Sequence, residues 1–499
     1  MNWQNYPLIR LIIPFTLGMI GANLFMAHMN VVVLFLICCV VLAFAFFFLN
    51  TSDIYKDGKF GAVAMMFFFL IGMTLYTHKH RSIEQNIPQD TTFCQGILTE
   101  LPTKKAHSWA LPIQQDDAHI ILYIGKGSQS PMELQIGDTI IASLTHFNPT
   151  NTCPDDTFKA FYAHLFNNGI CATAYAPHNR WTVKPSQTSP PFLASLKSLQ
   201  HTLHTIYEDH GIKGEAGSII EAMTIGRKAT LSKDTRTAYS HAGVSHILAL
   251  SGFHVGIIVL MLQFFFLKNL LPLRWRWFSN ILIIAALWLY ALLTGMSPSL
   301  VRSTTMFMIL MLCQTFSRES ISINTCALAF FVMLCINPLY LHDIGFQLSF
   351  IAVGSIGILG RRFVNLIATR NNLIHYMWLI TIVAISLIST LFTAPLIAYY
   401  FGKLTLVSLI SNLALFFFVY LLMATSILWW LFIWCDPINS LLTDLLNWTA
   451  TTMNDIVEYI SSLPFATIDW HPSALTTLFC YVVLLTLTYL FTRQKHPTP

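Results

Sequence analysis

The sequence predicts a polytopic α-helical membrane protein with a small extracytoplasmic β-barrel domain inserted after the third transmembrane helix. Hydrophobic residues make up 55% of the 499 residues, charged residues only 10%, and the mean hydropathy is +0.60. In soluble proteins about a quarter of the residues are charged, because the surface faces water. Much of the surface of this chain must therefore face an apolar medium. A more polar stretch at 79–240 separates the apolar segments and is the candidate water-facing domain.

Eleven apolar segments approach or exceed the length of about 20 residues that a membrane span requires. The first has no small-residue cleavage site after it, so we interpret it as a span and not as a signal peptide. The segment 406–435 is long for one span and is compatible with two short helices or a re-entrant hairpin. The segments are 8–25, 31–49, 60–77, 244–267, 278–297, 301–316, 324–341, 345–360, 377–401, 406–435 and 475–491.

The distribution of Lys and Arg predicts the orientation of the spans, because short cytoplasmic loops are enriched in both. With the N-terminus inside, the inner loops carry most of these residues, and the polar stretch 79–240 lies on the extracytoplasmic side. Lys79 and Arg81 run against this trend, but long domains are translocated largely regardless of charge. The inner-loop residues are Lys56, Lys59, Lys268, Arg274, Arg276, Arg318, Arg361, Arg362 and Arg370.

Four segments of the polar stretch have the pattern of short strands. They are rich in Ile, Leu, Thr, Tyr and Phe and are bounded by Gly, Pro, Asn or Asp. Between them, the run 157–168 has apolar residues at helical spacing. Several strands with one helix suggest a barrel of the OB type. The strand segments are 92–101, 118–125, 137–147 and 169–176.

Two further segments are amphipathic and too polar to span the bilayer. Residues 192–240 follow a linker rich in Pro and Ser, and the segment 436–474 carries acidic residues opposite an apolar face. We interpret both as helices that lie at the membrane surface. The predicted domains are an N-terminal three-helix membrane segment at 1–78, the OB-like domain at 79–186, a linker with interfacial helices at 187–240, and the main transmembrane domain at 241–499.

Polar residues interrupt the apolar segment at 244–267. His246, Ser251 and His254 are costly at membrane depth and mark a cavity or a protein interior. On a continuous helix, all three share one face. Gly252 and Gly256 form a small-residue pair that lets a second helix approach closely. A packing seam with locally bonded histidines accounts for the same pattern equally well.

A second irregular stretch joins two apolar segments. Gly295 and Pro298 break the helix, and Arg302 begins the next one. An ordinary turn followed by an arginine that extends its side chain to the membrane surface has the same pattern.

A third stretch places polar residues at the start of a span. Asp343 is suited to cap the N-terminus of the helix. Gln347 and Ser349 continue into the span, where polar side chains need partners.

In this order, the three stretches closely resemble the competence domain of the ComEC family of DNA-uptake proteins. Further motifs extend the resemblance, including the family's N-terminal OB-like domain, so that it covers nearly the whole chain. The resemblance implies a channel in the inner membrane of a bacterium that imports single-stranded DNA during natural transformation. The further motifs are Ala222-Met223, Gly226-Arg227, Tyr239 to His246, Thr393-Ala394-Pro395 to Phe401, Ser411-Asn412, and Phe158, Tyr162, Leu165 and Gly169-Ile170.

Two features depart from the family pattern. Many members carry a metallo-β-lactamase-like nuclease domain with HxHxDH-type metal ligands, and this sequence contains no such cluster. We therefore expect the chain not to be an enzyme and to use no metal or other cofactor. The segment after Asn412 also lacks the proline that the family pattern leads us to expect.

The resemblance also implies partners. Single-stranded DNA is the transported substrate and the lipid bilayer is the surrounding medium. No P-loop motif is present, so we expect a cytoplasmic helicase-like motor, together with a periplasmic DNA receptor and a separate nuclease. Whether one chain or a homodimer forms the channel stays open.

The predicted channel is lined by neutral polar groups, helix-breaking Gly and Pro, and few charges. A charged strand requires a polar or hydrated path, whereas dense Lys and Arg would hold its phosphates too tightly for conduction. The predicted lining residues are His246, Ser251, Gly252, His254, Gly256, Gly295, Pro298, Arg302, Asp343, Gln347, Ser349, Pro395 and Asn412.

The charge of the OB-like domain argues against a large nucleic-acid groove. Between 82 and 186 there are six Lys and Arg against nine Asp and Glu, whereas such grooves are basic. Either the basic residues cluster on one face, or the domain mainly supports the channel, which we favour. The residues predicted to contact DNA, by charge or by base stacking, are Lys104, Lys105, Trp109, Tyr123, Lys126 and Phe147. An extracytoplasmic domain also permits a disulfide, and we pair Cys153 with Cys171.

Two other functions compete with a DNA channel. Ser251 next to a membrane histidine is compatible with an intramembrane serine hydrolase or protease, although the sequence before it, Ala249-Leu250, lacks the first glycine of the usual GxSG motif. A small-molecule secondary transporter would show a repeat of broken helices in both halves of the chain, and we see no such repeat.

Overall fold

The computed structural model describes residues 7–25, 37, 40, 59–88, 92–100, 102–105, 107–127, 131, 134, 136–152, 158–184, 192–228, 230–265, 275–316, 322–370 and 377–493. Two compact units divide the chain. The sheet unit comprises residues 3–195 and 330–344, and the helical unit comprises residues 196–329 and 345–499. The predicted span at 31–49 lies almost entirely outside the described residues.

The sheet unit begins with two apolar helices, α1 (Pro7–Phe25) and α2 (Lys59–Gln85), which pack against each other. A glycine on each helix permits this contact. A Cβ atom at Gly18 would lie 2.0 Å from the carbonyl oxygen of Phe69, and one at Gly72 would lie 2.2 Å from that of Phe15. The two backbones therefore approach to a distance that any side chain would prevent.

Eight strands and one helix follow in the sheet unit. The hairpin between the third and fourth strands turns at Asp116, which adopts a positive φ of 50° that Asp tolerates better than most residues. The elements are β1 (Phe93–Leu98), β2 (Thr103–Lys104), β3 (Ser108–Gln115), β4 (Ala118–Gly125), β5 (Thr139–Ser143), β6 (His146–Pro149), α3 (Lys159–Asn167), β7 (Ile170–Ala176) and β8 (Trp181–Lys184). The predicted helix at 157–168 and the strands at 92–101 and 169–176 are confirmed with shorter bounds, and the strand at 118–125 matches β4. The segment predicted as one strand at 137–147 contains two, β5 and β6.

The predicted barrel is not confirmed, because the sheet is open among the described residues. The strand order is β6-β7-β4-β3-β1-β5-β8, with β2 paired to β3, so β6 and β8 form the edges. Both edge strands have four residues, and β6 ends at Pro149, which has no N–H to donate to a further strand. Most pairs are antiparallel, and β4 pairs with β7 in parallel. The domain is therefore a mixed sheet.

The helical unit contains most of the remaining described chain, apart from a 3₁₀ helix (Pro338–His342) and the end of the helix before it, which belong to the sheet unit. Its first elements belong to the interfacial segment and to the start of the main transmembrane domain. They are α4 (Phe192–Asp209), α5 (Gly214–Thr224), α6 (Lys233–His241) and α7 (Gly252–Phe265).

The remaining elements follow in chain order. Helix α8 is Arg276–Leu293, α9 is Pro298–Phe316, α10 is Ser322–Ile336, α11 is Ile344–Arg370, α12 is Met377–Phe401, β9 is Lys403–Thr405, α13 is Ser408–Leu431, α14 is Asp436–Ser461, β10 is Thr467–Asp469 and α15 is Ala474–Arg493. Helix α10 is divided, because its residues from Phe330 onward and the 3₁₀ helix fall in the sheet unit.

Four described helices are long and apolar enough to cross a membrane: Pro7–Leu24, Gly61–Gln85, Leu379–Phe401 and Ser408–Leu431. The last of these decides between the alternatives for 406–435, because the segment is one continuous helix. Five shorter apolar helices accompany them. On α15, large apolar side chains are exposed, with Leu475 at 78% and Phe479 at 66%, as expected for a surface in contact with lipid.

The interfacial segments are helices that pack on the helical unit. Helix α14 buries one face against α13, α5 and α6. The indole of Trp429 on α13 donates to Thr443 of α14 (2.8 Å), and that of Trp430 on α13 donates to the hydroxyl of Tyr207 on α4 (2.9 Å). Burial raises the pKa of Tyr207 to about 12, so this hydroxyl stays protonated and donates in turn to Thr224 (3.3 Å).

Candidate functional site

A cavity of about 640 Å³ lies within the helical unit. Its wall is formed by α7, α9, the first half of α10, α11, α12, β9 and α13, and by the loop before α7. The lining residues are Gly243, His246, Ser251, Gly252, Phe253, Ser299, Ser303, Met306, Phe307, Leu310, Thr325, Cys326, Ala329, Leu348, Ser349, Ala352, Val353, Ile356, Ser389, Thr390, Thr393, Ala394, Ile397, Leu404, Thr405, Ser408 and Asn412.

The wall of this cavity is mainly apolar, with neutral polar groups set among the apolar side chains and no formal charge. Among the described residues that line it, there is no Lys, Arg, Asp or Glu. Serine and threonine hydroxyls alternate with apolar side chains, and His246 and Asn412 add an imidazole and an amide. Such a wall offers many weak hydrogen-bonding positions and no strong ionic one.

Several wall hydroxyls are already bonded to their own helix. Ser303 donates to the carbonyl oxygen of Ser299 (2.9 Å), and Thr393 donates to that of Ser389 (2.8 Å). Bonds of this kind satisfy the hydroxyl inside an apolar helix and leave its oxygen able to accept. The wall is therefore stable without a bound partner, and its hydroxyls are not committed to one.

The loop before α7 corrects one sequence prediction. His246 and Ser251 do not continue the helix of His254, because α7 begins at Gly252 and residues 244–251 are turns and irregular backbone. Ser251 stands at the position before the helix, and its backbone N–H donates to Nδ1 of His254 (3.3 Å). A side chain in the first turn that bonds the residue before a helix helps to start it there.

The three residues consequently have different environments. His246 is exposed onto the cavity and Ser251 is half-buried on its wall. His254 is fully buried and is not among the lining residues. The prediction that all three share one wet face is therefore wrong for His254.

Ser251 and His254 also have part of the geometry of a catalytic nucleophile–base pair. The Oγ of Ser251 lies 2.9 Å from Nδ1 of His254, within the range for proton transfer. The other ring nitrogen, Nε2, has no hydrogen-bond partner among the described residues. A third group that orients the base is thus missing, and the bonds to Ser251 are those of a helix start.

Gly252 and Gly256 face a second helix, as their spacing predicts. A Cβ atom at Gly252 would lie 3.2 Å from Oγ of Ser303, and one at Gly256 would lie 3.5 Å from the ring of Phe307. Both partners belong to α9. Gly252 lines the cavity and Gly256 does not.

The stretch from 295 to 302 forms the turn between α8 and α9. Gly295 has a positive φ of 79°, and Pro298 is the first residue of α9, where its missing N–H costs nothing. Arg302 is 6% exposed. None of these three residues, all predicted to line the channel, is among the residues that line the cavity.

Of the remaining predicted residues, two line the cavity and three lie elsewhere in their helices or at a helix start. Ser349 of α11 and Asn412 of α13 line the cavity. Gln347 accepts a hydrogen bond from the hydroxyl of Tyr400 (3.2 Å). Pro395 lies inside α12, directly after lining residues, and Asp343 immediately precedes α11, as predicted for a cap. Gln347, Pro395 and Asp343 are not lining residues.

In the sheet unit, the predicted base-stacking residues are not equally accessible. Trp109 is buried, and Tyr123 and Phe147 are half-buried. Trp109 therefore cannot offer a face to a base, although the ammonium of Lys104 lies 6.0 Å from its ring centre.

The three lysines predicted to contact DNA lie at one end of the sheet. Lys104 pairs with Trp109, and Ser108 pairs with Gly125, the residue before Lys126. The backbone N–H of Lys105 donates to Ser108. All three lysines are exposed. The three lysines are therefore neighbours at this end of β2, β3 and β4, which we call the clustered edge.

The predicted disulfide stays a prediction, because Cys153 lies outside the described residues. Cys171 is buried and free, and burial raises the pKa of its thiol. Within the described part of the chain, no group of three His, Cys, Asp or Glu residues is arranged to hold a metal ion.

Most of the cavity's hydroxyl-bearing residues were not identified from the sequence. Five of them lie on apolar helices at helical spacing, Ser299 and Ser303 on α9 and Ser389, Thr390 and Thr393 on α12. This recurrence of Ser and Thr along one face is the signal that would have revealed those five. The residues not identified are Ser299, Ser303, Thr325, Ser389, Thr390, Thr393, Thr405 and Ser408.

Comparisons with known proteins agree with this arrangement. A family model described as "Competence protein" matches residues 223–494, which contain the cavity. The chain is 27% identical over 340 residues to ComE operon protein 3 of Bacillus subtilis (strain 168), across 68% of this chain and 40% of that protein. It is 29% identical over 127 residues to an uncharacterized protein of Aquifex aeolicus (strain VF5), across 25% of this chain and 29% of that protein. The match thus spans about two fifths of the Bacillus relative. No solved structure matches.

Proposed function

Since the chain belongs to the competence protein family, we propose that it forms the inner-membrane channel that imports single-stranded DNA during natural transformation. The family model covers residues 223–494, more than half of the chain. The observation that carries the channel role is the cavity, which lies between apolar helices and has uncharged hydroxyl, amide and imidazole groups among the apolar side chains of its wall.

The chemistry of the wall supports passage rather than storage of a strand. Each nucleotide carries one negative charge, and contacts between phosphates and Lys or Arg hold a strand tightly. A wall of hydroxyl, amide and imidazole groups offers hydrogen bonds that break easily, so that the strand moves from one set to the next. At about 640 Å³, the cavity has the size of a small-molecule site. The strand would therefore pass as a short segment at a time.

The proposal extends to location and partners. We place the channel in the cytoplasmic membrane of a bacterium and the sheet unit's polar domain on the extracytoplasmic side, on the Lys and Arg distribution. The clustered edge of Lys104, Lys105 and Lys126 is the part of that domain suited to meet incoming DNA. A periplasmic receptor, a separate nuclease and a cytoplasmic helicase-like motor complete the proposed pathway, and the chain itself is not an enzyme.

A photo-crosslinking experiment tests the path directly. A photoreactive amino acid in place of Ser349, illuminated during uptake of labelled DNA, is expected to capture the incoming single strand, because this position lies on the cavity wall. The control is the same replacement at Gly354 of the same helix, where a side chain would meet open space. Active uptake without capture at Ser349, or equal capture at both positions, would refute the proposed path.

Ser251→Ala distinguishes the channel from a hydrolase. The serine oxygen bonds to His254 at the start of α7, and loss of that one bond is expected to cost about 1 kcal/mol. Transformation frequency is therefore expected to stay within about tenfold of the wild type. Complete loss of uptake, with a normal amount of chain in the membrane, would instead indicate that Ser251 is a nucleophile.

A further inference from the structure

A second cavity, of about 660 Å³, lies in the helical unit, away from the residues of the first. It is formed by the interfacial helices α4, α5 and α6 with the last turn of α14. We call it the acidic pocket, because five carboxylates line it and only one lysine, Lys213, does so. The carboxylates belong to Glu208, Glu215, Glu221, Asp234 and Glu458.

Glu221 is the buried carboxylate of the acidic pocket. It is 3% exposed, and its Oε1 lies 2.7 Å from Nδ1 of His204. Its other oxygen, Oε2, is buried and has no hydrogen-bond partner among the described residues. A buried carboxylate oxygen without a donor is costly, since it has given up water and gained nothing in return. Glu221 therefore has an unused acceptor at the wall of a cavity.

Most other groups around the pocket are also acceptors or donate elsewhere, and the exceptions are Lys213 and the hydroxyl of Thr230, which has no hydrogen-bond partner among the described residues. Glu215 accepts from the hydroxyl of Thr235 (2.5 Å) and Glu458 accepts from the amide of Asn454 (2.8 Å). The hydroxyl of Ser218 donates to backbone carbonyl oxygens. The pocket thus has an excess of negative charge and of acceptors, and its own residues supply few free donors.

This arrangement selects one class of ligand. A bare metal ion needs several ligands at short range, and the described residues contain no group of three His, Cys, Asp or Glu with that arrangement. A cation that carries its own N–H donors neutralises the carboxylates and satisfies acceptors at several distances at once.

We propose that the acidic pocket binds an ammonium or guanidinium group, with Oε2 of Glu221 as the buried acceptor. The group belongs either to a free polyamine or to a basic side chain of a partner protein. The proposal is independent of the transport function, because it involves none of the residues that line the first cavity.

Binding to the full-length chain in a neutral detergent tests the proposal. Spermidine and a short lysine-rich peptide are the two probes, measured by calorimetry at low salt. We expect saturable binding of at least one probe, weakened about tenfold by Glu221→Gln, because a charge-assisted bond of this kind contributes about one factor of ten or more. Tighter binding of spermidine identifies a free amine as the ligand, and tighter binding of the peptide identifies a protein partner.

Two further variants keep the test decisive. Asp455→Asn changes an exposed carboxylate on α14 that does not line the pocket, and it is expected to bind like the wild type. Glu458→Gln, at an exposed pocket position, is expected to weaken binding by two- to threefold and serves if Glu221→Gln does not fold. Binding unaffected by both pocket variants would overturn the proposal. So would binding of neither probe, as for a pocket filled by water alone, or Glu221-dependent binding of MgCl₂ without binding of either probe.

Discussion

Replacing Ser349 and Asn412 together by tryptophan is expected to reduce transformation to the level of a strain that lacks the chain. The two residues lie on different helices, α11 and α13, and both line the cavity. Two indoles projecting from separate sides would fill much of a space of about 640 Å³ and replace polar wall groups with apolar ones. A hydrophobic constriction excludes water and charge, so a nucleic-acid strand would be stopped there.

The control for this experiment places the same two side chains on the same two helices. A side chain at Gly354 of α11 would meet open space, and Ile410 of α13 is 61% exposed. The double variant Gly354→Trp, Ile410→Trp is expected to transform nearly like the wild type, because lipid accommodates tryptophan at exposed helix positions. Both variants are compared at equal amounts of membrane-inserted chain. Normal uptake in the Ser349→Trp, Asn412→Trp variant would contradict the channel proposal.

Gly18→Ala is expected to cause a large loss of stability from a single methyl group. The new Cβ atom would lie 2.0 Å from the carbonyl oxygen of Phe69, which is backbone and cannot rotate away. Helices α1 and α2 would have to separate, at a cost of about 2–4 kcal/mol by analogy with overpacked cores. We expect a clear fall in the unfolding temperature in detergent and a smaller folded fraction on size-exclusion chromatography.

Gly21→Ala is the matched control on the same helix. A Cβ atom there would lie 3.6 Å from the ring of Phe69, an ordinary van der Waals contact. Its unfolding temperature is expected to stay close to that of the wild type. If Gly18→Ala were equally stable, the close approach of the two backbones would not exist in the folded protein.

The spans could be predicted from the sequence because hydropathy is a local property. Most described spans begin close to the predicted positions, and α12, at Met377–Phe401, matches its predicted bounds. Helices α2 and α11 continue to Gln85 and Arg370, beyond the predicted ends at 77 and 360. The helix predicted from 244 begins instead at Gly252. Polar residues before Gly252 can bond to turns as readily as they can lie on a helix, and hydropathy alone does not distinguish the two.

The strands were predicted less completely for a similar reason. β3, at Ser108–Gln115, contains Pro112 and polar residues at both ends and does not have a strong strand pattern. Its pairing with β4 makes it a central strand of the sheet. Closure of a barrel depends on which strands meet at the edges, and no local pattern encodes that.

By itself, the sequence determined that this is a multi-span membrane protein of the competence family, since composition, hydropathy and the order of motifs are properties of the chain as written. It also marked His246, Ser251, Ser349 and Asn412 as polar groups at costly positions. Only the tertiary structure decided which polar groups share a cavity, that His254 is buried beside it, and that Glu221 faces a second one. These outcomes depend on contacts between helices far apart in the chain, whose directions and distances are set by packing and not by any single segment.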